Sequence, residues 1–117
     1  MRAARLLAAC QDQPFLATSP PVLAEQLARW HDAFPLVRPS ATATGHLHQL
    51  GVAATFASRA ELAALVEEGV DMSTATFANS TKLGSHLRAA QAAGVGRVYA
   101  DSTEELIKIK KLHPTAR

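Results

Sequence analysis

The chain has 117 residues, which limits it to one domain or a piece of one. Its hydrophobic content of 48% belongs to a folded globular chain, and a formal charge of +2 with a pI near 9.0 supplies no focused basic surface for nucleic acid. The single Cys10 excludes an internal disulfide and a thiolate metal cage, and no window approaches the ~20 apolar residues of a membrane span.

The first ten residues end in Leu7-Ala8-Ala9-Cys10, the wording of a lipoprotein signal. The apolar core is only Leu6 to Ala9, short of the ~7–15 residues that export needs, so residues 1–13 read as an amphipathic lead-in helix. The compartment expected is the cytoplasm. Phe15 to Thr18 reads as a strand, with Ser19 as N-cap and Pro20 at the first helical position. Leu23, Leu27, Trp30 and Phe34 then recur on one helix face, which makes Trp30 a core residue, and Pro35 stops the helix.

From Val52 onward the chain repeats itself. Phe56-Ala57-Ser58, Phe77-Ala78-Asn79 and Tyr99-Ala100-Asp101 stand 21 and 22 residues apart, and each ends a β-prone run and opens a helical pattern. The strands read as Val52 to Phe56, Thr74 to Ala78 and Arg97 to Ala100. Ser58-Arg59-Ala60-Glu61 is a capping box, and Ser102-Thr103-Glu104-Glu105 reads as a second. The helix stripes are Leu62, Leu65 and Val66; Leu83, Leu87 and Ala90; and Leu106, Ile109 and Leu112. Gly69 and Gly94 end the first two helices. The lysines Lys108, Lys110 and Lys111 complement the dipole of the last.

Repeated βα units build parallel sheets, and their chemistry sits where strands hand over to helices. The fold expected is α/β, an incomplete (β/α) barrel with parallel strands and outer helices, over residues 14–117. Ser58, Glu61, Asn79 and Asp101 form its strand-end rim, with Ser58, Asn79 and Asp101 read first as helix caps. Pro39 to Gly51 breaks the pattern. It leaves room for a helix stub containing Leu47 and Leu50, and the strand before it looks eroded.

Other candidates are weaker. His46-Leu47-His48 would share a strand face but has no third ligand, so no metal is expected. His86 and His113 read as exposed helix residues, and Gly94-Val95-Gly96 precedes a strand, the wrong context for cradling phosphate.

Pro14-Phe15-Leu16, Val37-Arg38-Pro39, Leu50-Gly51-Val52, Ala57-Ser58-Arg59-Ala60-Glu61-Leu62, Phe77-Ala78-Asn79 and Asp101-Ser102 with Glu105-Leu106 together resemble the ornithine decarboxylase family. These are pyridoxal-phosphate-dependent decarboxylases of ornithine, diaminopimelate and arginine with an alanine-racemase-like barrel. The resemblance implies a place in polyamine or amino-acid metabolism. In that family the Arg-Pro pair leads into a strand ending in Ala-Val-Lys, whose lysine forms the Schiff base with the cofactor. Here Arg38-Pro39 runs into Ser40-Ala41-Thr42-Ala43-Thr44-Gly45, and the only lysines are Lys82, Lys108, Lys110 and Lys111.

Thr55 replaces a usual acidic residue, and Asn79-Ser80-Thr81-Lys82 stands where the family has Asn-Pro-Cys-Lys. Lys82 matches that second family lysine, which is not the Schiff-base residue. The expectation is a truncated, catalytically inactive relative that takes no cofactor on its own. An antizyme-inhibitor-like regulatory binding protein and a small autonomous α/β ligand-binding domain are the alternatives. An open half-barrel has two unpaired strand edges and an apolar inner face, which points to self-association or a protein partner covering that face.

Overall fold

The computed structural model describes residues 19–36, 39–42 and 45–117. The lead-in helix, the strand from Phe15 to Thr18 and the Arg38 of the Arg-Pro pair lie outside the described residues. Helix α1 spans Pro20–Ala33, strand β1 Ser40–Thr42, α2 Gly45–Gln49 and β2 Ala53–Phe56. Then come α3 at Arg59–Glu67, β3 at Thr76–Phe77, α4 at Gly84–Ala92, β4 at Arg97–Val98 and α5 at Thr103–Leu112. The strands form one sheet in the order β1-β2-β3-β4, parallel throughout. These four strands form an open sheet, not a closed barrel.

The two faces of the sheet differ in chemistry. Thr55, Thr76 and Arg97 are register partners, and so are Phe56 and Phe77, then Phe77 and Val98. Adjacent residues of a strand point to opposite faces, so the phenylalanine row faces one way and the threonine–arginine row the other. Phe56 and Phe77 stack at 4.7 Å and join Ala54, Ala75, Leu62, Leu65, Ala90 and Val95 in the core under the helices. The open face thus carries threonines and an arginine rather than the apolar lining expected from sequence. Along that row Arg97 is exposed, Thr55 half-buried and Thr76 buried, so the polar face is open to water at its β4 edge.

The segment expected to be eroded is a shortened unit. β1 pairs with β2 over three residues, and α2 makes a single turn before Gly51. A common ending explains why it persists. Gly51, Gly69 and Gly94 have φ of 81°, 74° and 78°, a region that residues with a Cβ avoid. The following Val52, Val70 and Val95 donate their N–H to Leu47, Leu65 and Ala90, while each glycine donates to His48, Val66 and Gln91 respectively. This is the Schellman arrangement, and the three valines are buried. A Gly-Val pair therefore closes every helix that precedes β2, β3 and β4, including the shortest.

Several expected faces shift. α1 has no buried residue among those described; Leu23 and Leu27 are half-buried, and Trp30 and Phe34 are exposed, in contact with each other at 5.0 Å. Trp30 is therefore not core. Val66 is exposed because α3 meets the sheet along Leu62 and Leu65 alone, and Leu83 is the exposed N-cap of α4 rather than part of its stripe. On α5 the inward residues are Glu105 and Ile109, with Leu112 half-buried, while Leu106 is exposed. A charge sits where hydropathy would place a leucine, because a buried lysine waits opposite it.

Candidate functional site

The three triplets end their strands side by side, as the repeat implies. Ala78 N–H donates to Phe56 O at 2.8 Å and Tyr99 N–H to Phe77 O at 3.0 Å, so parallel pairing continues past the strands into the rim. Ser58 is the N-cap of α3: its Oγ accepts from Glu61 N–H at 3.2 Å. The Glu61 carboxylate accepts in return from Ser58 N–H at 3.1 Å and Ala57 N–H at 2.6 Å. A carboxylate thus occupies the donors at the start of α3, where the helix dipole favours negative charge.

Asn79 and Asp101 are not helix caps. Asn79 Nδ2 donates to Ala57 O at 3.2 Å and its Oδ1 accepts from Thr81 N–H at 3.1 Å, which ties the β3 loop to the β2 loop. α4 instead begins after Leu83, four residues later, without a side-chain cap. Ser102, not Asp101, caps α5, its Oγ accepting from Glu105 N–H at 3.2 Å. Asp101 itself is exposed. The second capping box is only half made, because the Glu105 carboxylate turns inward.

What holds it there is a buried charge cluster that the sequence pattern did not reveal. Lys82 is 3% exposed, and its ammonium donates to Asn79 O at 2.7 Å, Ser80 O at 3.3 Å and Tyr99 O at 2.6 Å. It also pairs with Glu105 Oε1 at 3.1 Å and lies 5.6 Å from the centre of the Phe77 ring. Glu105 Oε1 accepts Lys82 N–H at 3.2 Å, Lys108 reaches Glu105 Oε2 at 2.5 Å, and Lys108 Nζ donates to Lys82 O at 2.7 Å. Burial alone would raise the Glu105 pKa; the hydrogen bonds from Lys108 and Lys82 outweigh it and hold the group below its ordinary value. The cluster fixes the β3 and β4 loops against each other and against α5. An amphipathic pattern cannot show it, since Lys82 lies in a loop and Glu105 reads as a cap.

The histidines fall differently from expectation. His46-Leu47-His48 lies on α2, where residues two apart do not share a face, and no metal-holding group of three exists among the described residues. His86 is half-buried on α4. His113 is buried rather than exposed: it follows α5 with N–H to Ile109 O at 2.7 Å, and its Nε2 has no partner among the described residues. Burial pushes its imidazole below the ordinary value, against a smaller opposing pull from the backbone of Val95. Pro114 keeps His113 out of the helical region, and His113 is the non-helical C-cap of α5, with φ −149° and ψ 65°.

Successive parallel βα units with their loops gathered at the C-terminal strand ends define the class: a segment of a (β/α) barrel. The profile described as "Pyridoxal-dependent decarboxylase, pyridoxal binding domain" matches residues 23–117. The chain belongs to that family. It is 30% identical over 100 residues to the ornithine decarboxylase of Schizosaccharomyces pombe and 32% over 114 residues to that of Neurospora crassa. These matches take in 79% and 91% of this chain but 23% of each fungal enzyme. The Paramecium bursaria Chlorella virus arginine decarboxylase superposes with a TM-score of 0.84 at 27% identity, over 98% of this chain and 34% of that one. For Selenomonas ruminantium lysine decarboxylase the TM-score is 0.83 at 29% identity, over 98% and 33%.

The described residues do not fit the cofactor that the family's description names. An aldimine needs a lysine amine free to reach an aldehyde, and the side chain of Lys82 has no exposed surface. A phosphate needs open donors at a helix start, and at α3 the Glu61 carboxylate holds two of them. At α5 the Ser102 hydroxyl takes another.

Proposed function

We propose that this chain is a catalytically silent partial barrel of the pyridoxal-dependent decarboxylase family. The observation that carries the reading is the state of Lys82. Its ammonium is enclosed by three carbonyls and a carboxylate, and the neighbouring Lys108 ammonium is engaged by that carboxylate and by the Lys82 carbonyl. Freeing it would take from the buried Glu105 one of its two ammonium partners and leave Lys108 alone to answer the carboxylate. Supporting this, no lysine precedes residue 82, although the family's Schiff-base lysine belongs at the end of the strand that β1 replaces. Polyamine or amino-acid metabolism remains the setting that the relatives suggest.

The test is reduction of the chain with borohydride in the presence of pyridoxal phosphate, followed by peptide mapping and an assay for carbon dioxide from ornithine. Scattered, substoichiometric labelling of Lys108, Lys110 and Lys111 without carbon dioxide is expected. A stoichiometric adduct on one lysine with carbon dioxide released would overturn the reading. The same reading leaves the outer edge of β1 unpaired among the described residues, so self-association or capping by a protein partner is expected there. Sedimentation showing a strictly monomeric chain at high concentration would argue against it.

A further inference from the structure

The opposite end of the sheet, where the strands begin, carries a feature that the family relationship does not account for. Arg117 N–H donates to Gly96 O at 3.0 Å, and Arg117 O accepts from Val98 N–H at 3.2 Å. That pair of bonds is the pattern of parallel strand pairing, and it sets Arg117 directly beside Arg97. Partners in register point to the same face, so the threonine–arginine row of the open face ends in two neighbouring guanidiniums. Both line a cleft of about 370 Å³ with Ser73, Thr74 and Gly96. A second cleft of about 220 Å³ shares Thr74 and Arg97 with it and brings in His48.

Like charges facing each other across a strand pair destabilise it unless something neutralises them. The ion pairs among the described residues are Arg29–Glu25, Lys82–Glu105 and Lys108–Glu105, so neither guanidinium has a carboxylate there. Asp71 stands two residues before the cleft's Ser73, and its carboxylate accepts from Ser73 N–H at 3.0 Å. The hydroxyl of Thr74 is likewise taken, donating to Asp71 O at 2.8 Å. The charged donors in the cleft are those of the two arginines, with the Ser73 hydroxyl beside them. Arg97 is anchored by one of its own, Nη2 to Thr74 O at 2.9 Å, which fixes the fork and leaves its other N–H groups available. The floor beneath is tight: a Cβ on Gly96 would lie 2.1 Å from Ser73 O, and Gly96 N–H donates to Met72 O at 3.2 Å.

We propose that the cleft between Arg97 and Arg117 is an oxyanion site that takes inorganic phosphate or the phosphate of a monoester. One guanidinium fork anchored on Thr74 O and a second on the strand position beside it suit the planar, bidentate recognition of phosphate oxygens. The site lies at the far end of the strands from the rim, so it stands whether or not the rim takes a cofactor.

The test uses the whole chain and inorganic phosphate, with sodium chloride holding ionic strength constant. Amide and guanidinium NMR shifts at Gly96, Arg97 and Arg117 should move and saturate, and sulfate should act similarly. Arg117→Gln should weaken binding roughly tenfold or more, as should Arg97→Gln. Arg88→Gln, on α4 and outside both clefts, should leave it unchanged. Should Arg97→Gln fail to fold, Arg117→Gln decides, because its side chain makes no described contact that the strand requires. A shift that never saturates, an equal response to chloride, or undiminished binding in Arg117→Gln would overturn the proposal.

Discussion

Replacing Glu105 by glutamine keeps the shape of the buried cluster and removes its negative charge. In the native chain the carboxylate has 4% side-chain exposure, and it answers an ammonium with none. Removing one partner of such a pair costs about 3–5 kcal/mol, since the remaining charge is left in a poor solvent. Lys82 keeps three carbonyl acceptors, so the low end applies, about 3 kcal/mol. For a domain of this size 1 kcal/mol corresponds to about 4 °C, which puts the midpoint about 12 °C lower.

The assay is thermal and urea unfolding followed by circular dichroism near neutral pH. The double variant Lys82→Met/Glu105→Gln should lie closer to the native chain than Glu105→Gln alone, because it removes the stranded charge. The pH dependence gives a second signature. The folded pKa of Glu105 is depressed, so its contribution is complete above the ordinary 4.5 and disappears as pH falls through the lower folded value. That acid-side loss should shrink in Glu105→Gln. A single variant within about 1 kcal/mol of native, or strictly additive effects in the double, would refute the argument that the cluster is coupled.

His113 should set a separate, higher window. Its folded pKa is depressed, so stability is full above 6.5 and declines below it as the unfolded chain takes up a proton first; His113→Leu should flatten that decline in urea titrations. Gly96→Ala places a methyl against the Ser73 carbonyl and should cost about 3 kcal/mol. Gly84→Ala meets the flexible ends of Leu112 at 3.1 Å and Arg88 at 3.7 Å and should stay within about 1 kcal/mol, its helix propensity offsetting the contact. Ser58→Ala removes the α3 cap and should lower stability by about 1 kcal/mol in the same melts.

The fold was legible where local chemistry acts alone. Phe56, Phe77 and the residues after them announce strand ends, Ser58 and Glu61 announce a helix start, and Gly69 and Gly94 announce helix ends, each from within its own few residues. Gly51-Val52 carries the same terminator as Gly69-Val70 and Gly94-Val95, and this signal identifies β1–α2 as a genuine unit despite its length. The short spacing between Pro39 and Gly51 announces a helix stub and an eroded strand, and the structure has both: a single turn that contains Leu47 and ends before Leu50, and a three-residue strand that still pairs with β2.

The candidate site was less legible, because its decisive contacts join residues distant in sequence. Lys82 and Glu105 are 23 positions apart, and nothing in either local pattern marks them as partners. Hydropathy assigns the inward face of α5 to Leu106; the buried ammonium assigns it to Glu105, and the helix is phased by the charge. The cluster also uses up the rim. Asn79, Ser80 and Tyr99 give their carbonyls to Lys82, Asn79 ties its side chain to Ala57, and Glu61 closes the start of α3. Groups that the repeat places at the strand ends thus satisfy one another, and Asp101 alone among the four rim residues faces solvent without a described hydrogen-bond role. The unspent charge lies at the other end of the sheet, where Arg97 and Arg117 stand together without a carboxylate partner among the described residues. A family resemblance directs attention to the strand ends; the electrostatics of this chain direct it to the strand beginnings.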